Sequence, residues 1–195
     1  MPSVFKINLL KKPGGALRVR VSSTTVKPNE VKNAFEYAKL FRAMMEPFAP
    51  ITRIDLLIDC AGGAVESALG LSEALESLDR PVRVLITGQC ASAATLVAYN
   101  PCTETVHIVP GGSILIHLPQ IDRYKKQGGV WSVVSRLGNA STIHFMQATY
   151  ASKVGQPRKT VRRWMEEGHR FTAEEAVAEH LADGIVAQWE WEEKL

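Results

Sequence analysis

The chain is short of the features that mark extracellular, membrane or nucleic-acid-binding proteins. Its three cysteines, Cys60, Cys90 and Cys102, are an odd number with no close pair, which argues against a disulfide framework and for a reducing compartment. No apolar run approaches membrane-spanning length, and the opening MPSVFKINLLKKPGG holds too short an apolar stretch for a signal peptide. A cytoplasmic protein with no membrane partner is therefore expected. Charge of one sign is scarce as well, the formal net charge being +3. The denser basic spots, Arg123, Lys125 and Lys126, then Arg158, Lys159, Arg162 and Arg163, read as solvated faces, so no nucleic-acid partner is expected. There is no HExxH, no CxxC and no tight His/Asp/Glu cluster, which leaves no metal site. Gly62-Gly63 lacks the further glycines of a dinucleotide fingerprint, and no cofactor is expected.

What is present suffices for one domain spanning 1–195: 195 residues, of which 46% are hydrophobic. Val4–Leu9 and Leu17–Val21 are β-rich runs separated by KKPGG, which predicts a hairpin, a small ribbon on the edge of the main body. Pro28-Asn29-Glu30 opens a helical pattern to about Met45, with Val31, Phe35, Ala38, Leu40, Phe41 and Met44 on the inward face. Ile54–Ile58 is a continuous apolar run, as in a strand buried on both faces. A helix over Val65–Leu78 follows, then a strand over Val82–Thr87. Gly88 is read as the turn into a helix over Ala91–Ala98, before short strands at Thr105–Val109 and Ser113–His117. This alternation gives β-α-β units and an α/β fold. After a polar loop over Pro119–Gly129 the pattern predicts a long helix from Val130 to Lys153 and a shorter one over Arg158–Glu167. A third helix opens at a capping box, Thr172 to Glu175. A small strand at Gly184–Val186 precedes the tail Trp189–Leu195.

Three stretches carry the chemistry: DCAGGAV (59–65), GQCASAAT (88–95) and ILIHLP (114–119). Ser92 follows a buried strand at the start of a short apolar helix, where backbone amides favour a developing anion. A serine hydroxyl needs a base. Among the five histidines, His117 stands out because it ends an apolar strand beside a loop, where catalytic groups of α/β sheets collect. His107, His144 and His180 read as structural or surface residues. Cys90 and Cys102 have apolar neighbours and read as buried, inert thiols.

The three motifs, in this order, resemble the proteolytic subunit of the Clp protease (the ClpP family), within the larger ClpP/crotonase group. Gly63 to Ser92 is 29 residues and Ser92 to His117 is 25, both as in the family. Gly155-Gln156 and FTAEEA…LADGI resemble its C-terminal end, so the resemblance runs from about Arg53 to Val186. It implies a ClpP/crotonase-like spiral with a catalytic β/α core over 53–117, a handle-like helix over 130–153 and C-terminal helices and strand over 158–186. Residues 1–50, hairpin and helix, are a divergent N-terminal part. It further implies a serine endopeptidase with Ser92 as nucleophile, His117 as general base and the Gly63 and Ala93 amides as oxyanion hole. The expected partners are peptide or unfolded-protein substrate, further copies in a ring-forming homo-oligomer, and an ATPase chaperone. The family's orienting aspartate falls on Gly168, so the carboxylate is open between Glu167, Glu166 and none. A crotonase-like acyl-CoA enzyme and a non-catalytic scaffold subunit are the alternatives.

Overall fold

The computed structural model describes residues 3–11, 15–25, 32–48, 50–127 and 130–193. The first two strands, β1 (Ser3–Lys11) and β2 (Ala16–Thr25), pair antiparallel from Ser3↔Thr25 to Lys11↔Leu17. Residues 12–14 of the predicted KKPGG turn lie outside the described residues. The ribbon lies at the edge of the sheet, as expected, and is continuous with it. β2 also pairs in parallel with β3 (Arg53–Cys60), and its Leu17, Val19 and Val21 are buried in the main core.

The helix α1 (Ala34–Met45) starts at a capping box in which Asn33 accepts from the Glu36 N–H and the Glu36 carboxylate accepts from the Asn33 N–H. The expected opening, Pro28-Asn29-Glu30 with Val31, lies outside the described residues. Its inward face is rotated from the sequence reading. Tyr37, Ala38, Phe41 and Met45 are buried, whereas Phe35, Leu40 and Met44 are 70%, 48% and 37% exposed. Tyr37 fixes the rotation, because its hydroxyl donates to the Phe5 carbonyl and draws that side of the helix onto the sheet.

After β3 come α2 (Val65–Glu76), β4 (Val82–Ala91), α3 (Ala94–Ala98), β5 (Thr103–Ile108) and β6 (Ser113–Ile116). Ala68, Leu71, Ala74 and Leu75 line the core side of α2 as the 3.6-residue period requires. Leu71 and Leu75 are wholly buried, each stabilising the fold by about 1.5–3 kcal/mol. The strand order β1-β2-β3-β4-β5 is completed by β10 (Gly184–Ile185) at the far edge.

What positions the site is the behaviour of β4. Its first half, Val82–Ile86, pairs with β5, and its last residues, Gln89–Ala91, pair with β6 instead. The sheet thus turns a corner within one strand, giving the spiral. Gly88 does not end this strand as expected. It lies inside it, and glycine is needed there because a Cβ would meet the Asp59 carboxylate at 2.5 Å, the carboxylate that accepts the Gln89 N–H at 3.1 Å.

The stretch after His117 departs most from the sequence reading. Gln120–Gln127 is a strand, β7, not a loop, and Val130–Leu137 is its antiparallel partner, β8, not the start of a long helix. The missed signal was a Gly128-Gly129 dipeptide followed by the β-branched pair Val133-Val134, a hairpin pattern. The helix expected over 130–153 is accordingly shorter, α4, Ala140–Val154, opened by Asn139 accepting from the Thr142 N–H and closed by Gly155 at φ 65°. Beyond it lie α5 (Arg158–Glu167), β9 (His169–Thr172) and α6 (Ala173–Ala178), the last with its Thr172/Glu175 capping box.

The second face of the sheet is closed by the tail, which is a helix, α7 (Gln188–Glu193). Trp191 packs on Leu57 and Leu85 and lies 4.8 Å from the Arg83 guanidinium. Arg83 and Arg53 hold the fully buried Asp55 carboxylate at 2.9 and 3.2 Å. An unpaired charge at that depth would be strongly destabilising. Among the described residues, no helix is long and apolar enough to cross a membrane.

Candidate active site

Because β4 and β6 run parallel with Ala91 opposite Leu115, Ser92 and His117 leave the same end of neighbouring strands. The Ser92 N–H bonds the Leu115 carbonyl at 2.9 Å. His117 Nε2 and Ser92 Oγ lie 2.6 Å apart, a short hydrogen bond. The two residues singled out in the sequence are thus brought together.

Ser92 adopts φ 57°, the left-handed region, on a sharp strand-to-helix turn. Such strain costs about 1–3 kcal/mol and persists only where the surroundings hold it. Here the Ser92 carbonyl accepts from the Thr95 N–H at 3.0 Å and from Thr95 Oγ1 at 2.5 Å. Thr95 Oγ1 is in turn 2.7 Å from the hydroxyl of the fully buried Tyr150 on α4. A turn of this shape presents the serine side chain at the mouth of the sheet, clear of the strands. The helix that follows is only five residues long, so the local N–H groups matter more than any axial dipole.

Gly62, at φ 95°, brings the loop after β3 against this turn. A Cβ there would lie 2.6 Å from the Ala91 carbonyl oxygen, 2.7 Å from Ser92 Cβ and 3.3 Å from the Ala93 nitrogen. Only glycine allows that approach and that φ. Among the described residues, neither the Gly63 nor the Ala93 N–H donates a hydrogen bond. Ser23, on β2, holds the Gly62 loop from the other side, and the sequence reading gave it no role.

Burial pushes the His117 imidazole below its ordinary value of 6.5, and among the described residues no charged group counters that. The ring is neutral at neutral pH and can accept a proton. Among the described residues, no carboxylate hydrogen-bonds it. The Glu167 carboxylate is not at His117 but 4.0 Å from Arg163 Nε and 4.0 Å from His169 Nδ1, and half-exposed. Glu166 is bound to Arg162 at 2.7 Å. Both are surface groups at the end of α5. What lies beside His117 is Gly168, the αL cap of α5 at φ 61°, whose Cβ, if it had one, would be 3.8 Å from His117 Cβ.

Cys60 and Cys90 face each other in the β3–β4 register and are buried, which pushes both thiols up, away from the thiolate. Among the described residues, no three His, Cys, Asp or Glu side chains are gathered as a metal site.

A model of the Clp protease family matches residues 27–189. That match begins well before Arg53, so α1 belongs to the family pattern and only the β1–β2 ribbon precedes it. Among solved structures, a serine-to-alanine mutant of the 1510-N membrane-bound stomatin-specific protease superposes with a TM-score of 0.60 at 17% identity, covering 83% of this chain and 78% of that one. An asparagine-to-aspartate mutant of ClpP1 from Listeria monocytogenes superposes with a TM-score of 0.59 at 17% identity, covering 80% of this chain and 85% of that one. At such identity these two likenesses speak to the fold alone.

Proposed function

Since the chain belongs to the Clp protease family, we propose that it is a serine endopeptidase in which Ser92 is the nucleophile and His117 the general base. The observation that carries this reading is the 2.6 Å contact between His117 Nε2 and Ser92 Oγ. His117 Nε2 takes the hydroxyl proton as Ser92 Oγ attacks the peptide carbonyl carbon. The negative charge that develops on the carbonyl oxygen is met by the N–H groups of Gly63 and Ala93. Collapse of the tetrahedral intermediate breaks the C–N bond, and His117 gives its proton to the leaving amine. Water, deprotonated by the same imidazole, then releases the acyl group and restores Ser92.

Peptide or unfolded protein is the substrate class. Further copies of the chain are the expected partner, supported by the exposed apolar side chains of Phe35, Leu40 and Phe145. A non-catalytic scaffold role has one observation in its favour, the glycine where a carboxylate would steady His117.

A fluorophosphonate probe separates the readings. The expected result is a single adduct on Ser92, located by mass spectrometry and lost in His117→Ala. Absence of any adduct would favour the scaffold, and acyl-CoA binding without an adduct a crotonase-like enzyme.

The direction of the His117 shift makes a second prediction. A base works in its neutral form, and burial lowers the pH at which the ring charges. The acid limb of kcat/KM should therefore have its midpoint below 6.5, with activity flat through neutrality. A midpoint above that value would mean that some anion faces the ring.

A further inference from the structure

The β1–β2 ribbon precedes the part of the chain that the family model matches, yet one of its side chains reaches the site. β2 runs on to Thr25, past its last position paired with β3, Ser22↔Asp59, and so brings Ser23 level with the end of β3. There Ser23 Oγ accepts the Ala61 N–H at 2.9 Å, donates to the Gly62 carbonyl at 3.0 Å and lies 3.0 Å from Cys60 Sγ. A hydroxyl has one proton and two lone pairs. With the proton on the Gly62 carbonyl, one lone pair takes the Ala61 N–H and the other faces Cys60 Sγ, which also donates to the Gly62 carbonyl at 3.8 Å.

The Gly62 carbonyl and the Gly63 N–H belong to one peptide unit. That unit is planar and trans, so its C=O and N–H point in opposite directions, and holding one aims the other. Glycine on both sides leaves this peptide without the φ and ψ restriction a side chain would impose, so its orientation depends on the groups that hold the Gly62 carbonyl, of which Ser23 Oγ at 3.0 Å is nearer than Cys60 Sγ at 3.8 Å. A rotation of half a turn would carry the Gly63 N–H out of the site. We propose that Ser23 is a positioning residue that locks the Gly62–Gly63 peptide and thereby keeps the Gly63 N–H directed at the oxyanion. The role rests on the serine-peptidase reading, but the lock is a property of the peptide and can be tested apart from it.

The test uses the full-length protein with Ser23→Ala and Ser23→Thr, the second keeping a hydroxyl at the same place. Removing an oxyanion donor outright costs about 10²–10³ in kcat, so loss of its lock is expected to cost about 10–100-fold. In Ser23→Ala this fall should appear in kcat with KM unchanged, measured on a fluorogenic peptide, and in the rate of fluorophosphonate labelling. Ser23→Thr should restore both. Wild-type rates in Ser23→Ala, a loss confined to KM, or an equal fall in the threonine variant would overturn the proposal. Should the wild type neither cleave nor label, the peptidase reading fails, and a crystal structure of Ser23→Ala still decides the lock. A rotated Gly62–Gly63 peptide upholds it, and an unchanged one overturns it.

Discussion

Ser92→Ala is expected to lower kcat by about 10²-fold, not by the millionfold fall seen when a complete triad loses its serine. The smaller figure follows from Gly168. In a complete triad, losing serine or histidine costs about 2 × 10⁶ in kcat and losing the carboxylate alone about 3 × 10⁴, so a site already lacking the carboxylate keeps only about 10² above its background. His117→Ala should cost the same, since neither half of the pair works without the other. The double variant should be no worse than either single one, because groups that act as a unit are not additive. KM should stay put, as neither side chain is needed to hold the ground-state peptide. Steady-state hydrolysis of a fluorogenic peptide by the four proteins measures all of this. A double variant showing the product of the two losses would mean that Ser92 and His117 act independently, against the contact they make.

Gly168→Asp is expected to raise kcat, by about 10²-fold, within the bound of about 3 × 10⁴ set by a carboxylate in an optimal triad. The geometry favours it, since a Cβ at 168 would sit 3.8 Å from His117 Cβ with no other atom within 4 Å. From there a carboxylate reaches the Nδ1 side of the ring and can hold the tautomer that leaves Nε2 free to accept from Ser92. The cost falls on stability. Aspartate tolerates φ 61° better than most residues, at about 1 kcal/mol, and a negative charge at a helix C-terminus costs about 0.3–1 kcal/mol more. Gly168→Asn carries the same backbone penalty without the charge and should show no gain. The new anion would also raise the His117 pKa, so the acid limb should move to higher pH in the aspartate variant alone. Equal rates in the two variants would show that an orienting charge is not what the site lacks.

Elements with a distinct apolar run, apolar face or cap were the most legible in the sequence. β3, from Arg53 to Cys60, and α2, from Val65 to Glu76, are apolar on the faces their periods predict, and the Thr172/Glu175 capping box opens α6 where expected. Elements whose fate depends on what lies opposite them were misread. Val130–Leu137 carries enough apolar residues for a helix face, and only pairing with Gln120–Gln127 makes it a strand. The α1 face was misassigned for the same reason, since apolar content does not reveal which side a tyrosine hydrogen bond will turn inward.

For the site, residue type and interval picked out Ser92, His117 and the glycine pair, because a hydroxyl, an imidazole and a bare backbone are chemical facts of the chain. What the sequence alone determined is this inventory and the strands that carry it. Tertiary structure decided the rest: that β4 changes partner at Gly88 so the two strand ends meet, that the α5 cap stands beside the imidazole where no carboxylate among the described residues bonds it, and that Ser23 reaches the Gly62–Gly63 loop. Each of these depends on a contact between segments remote in the chain, whose energy is set by register and packing geometry and leaves no local pattern to read.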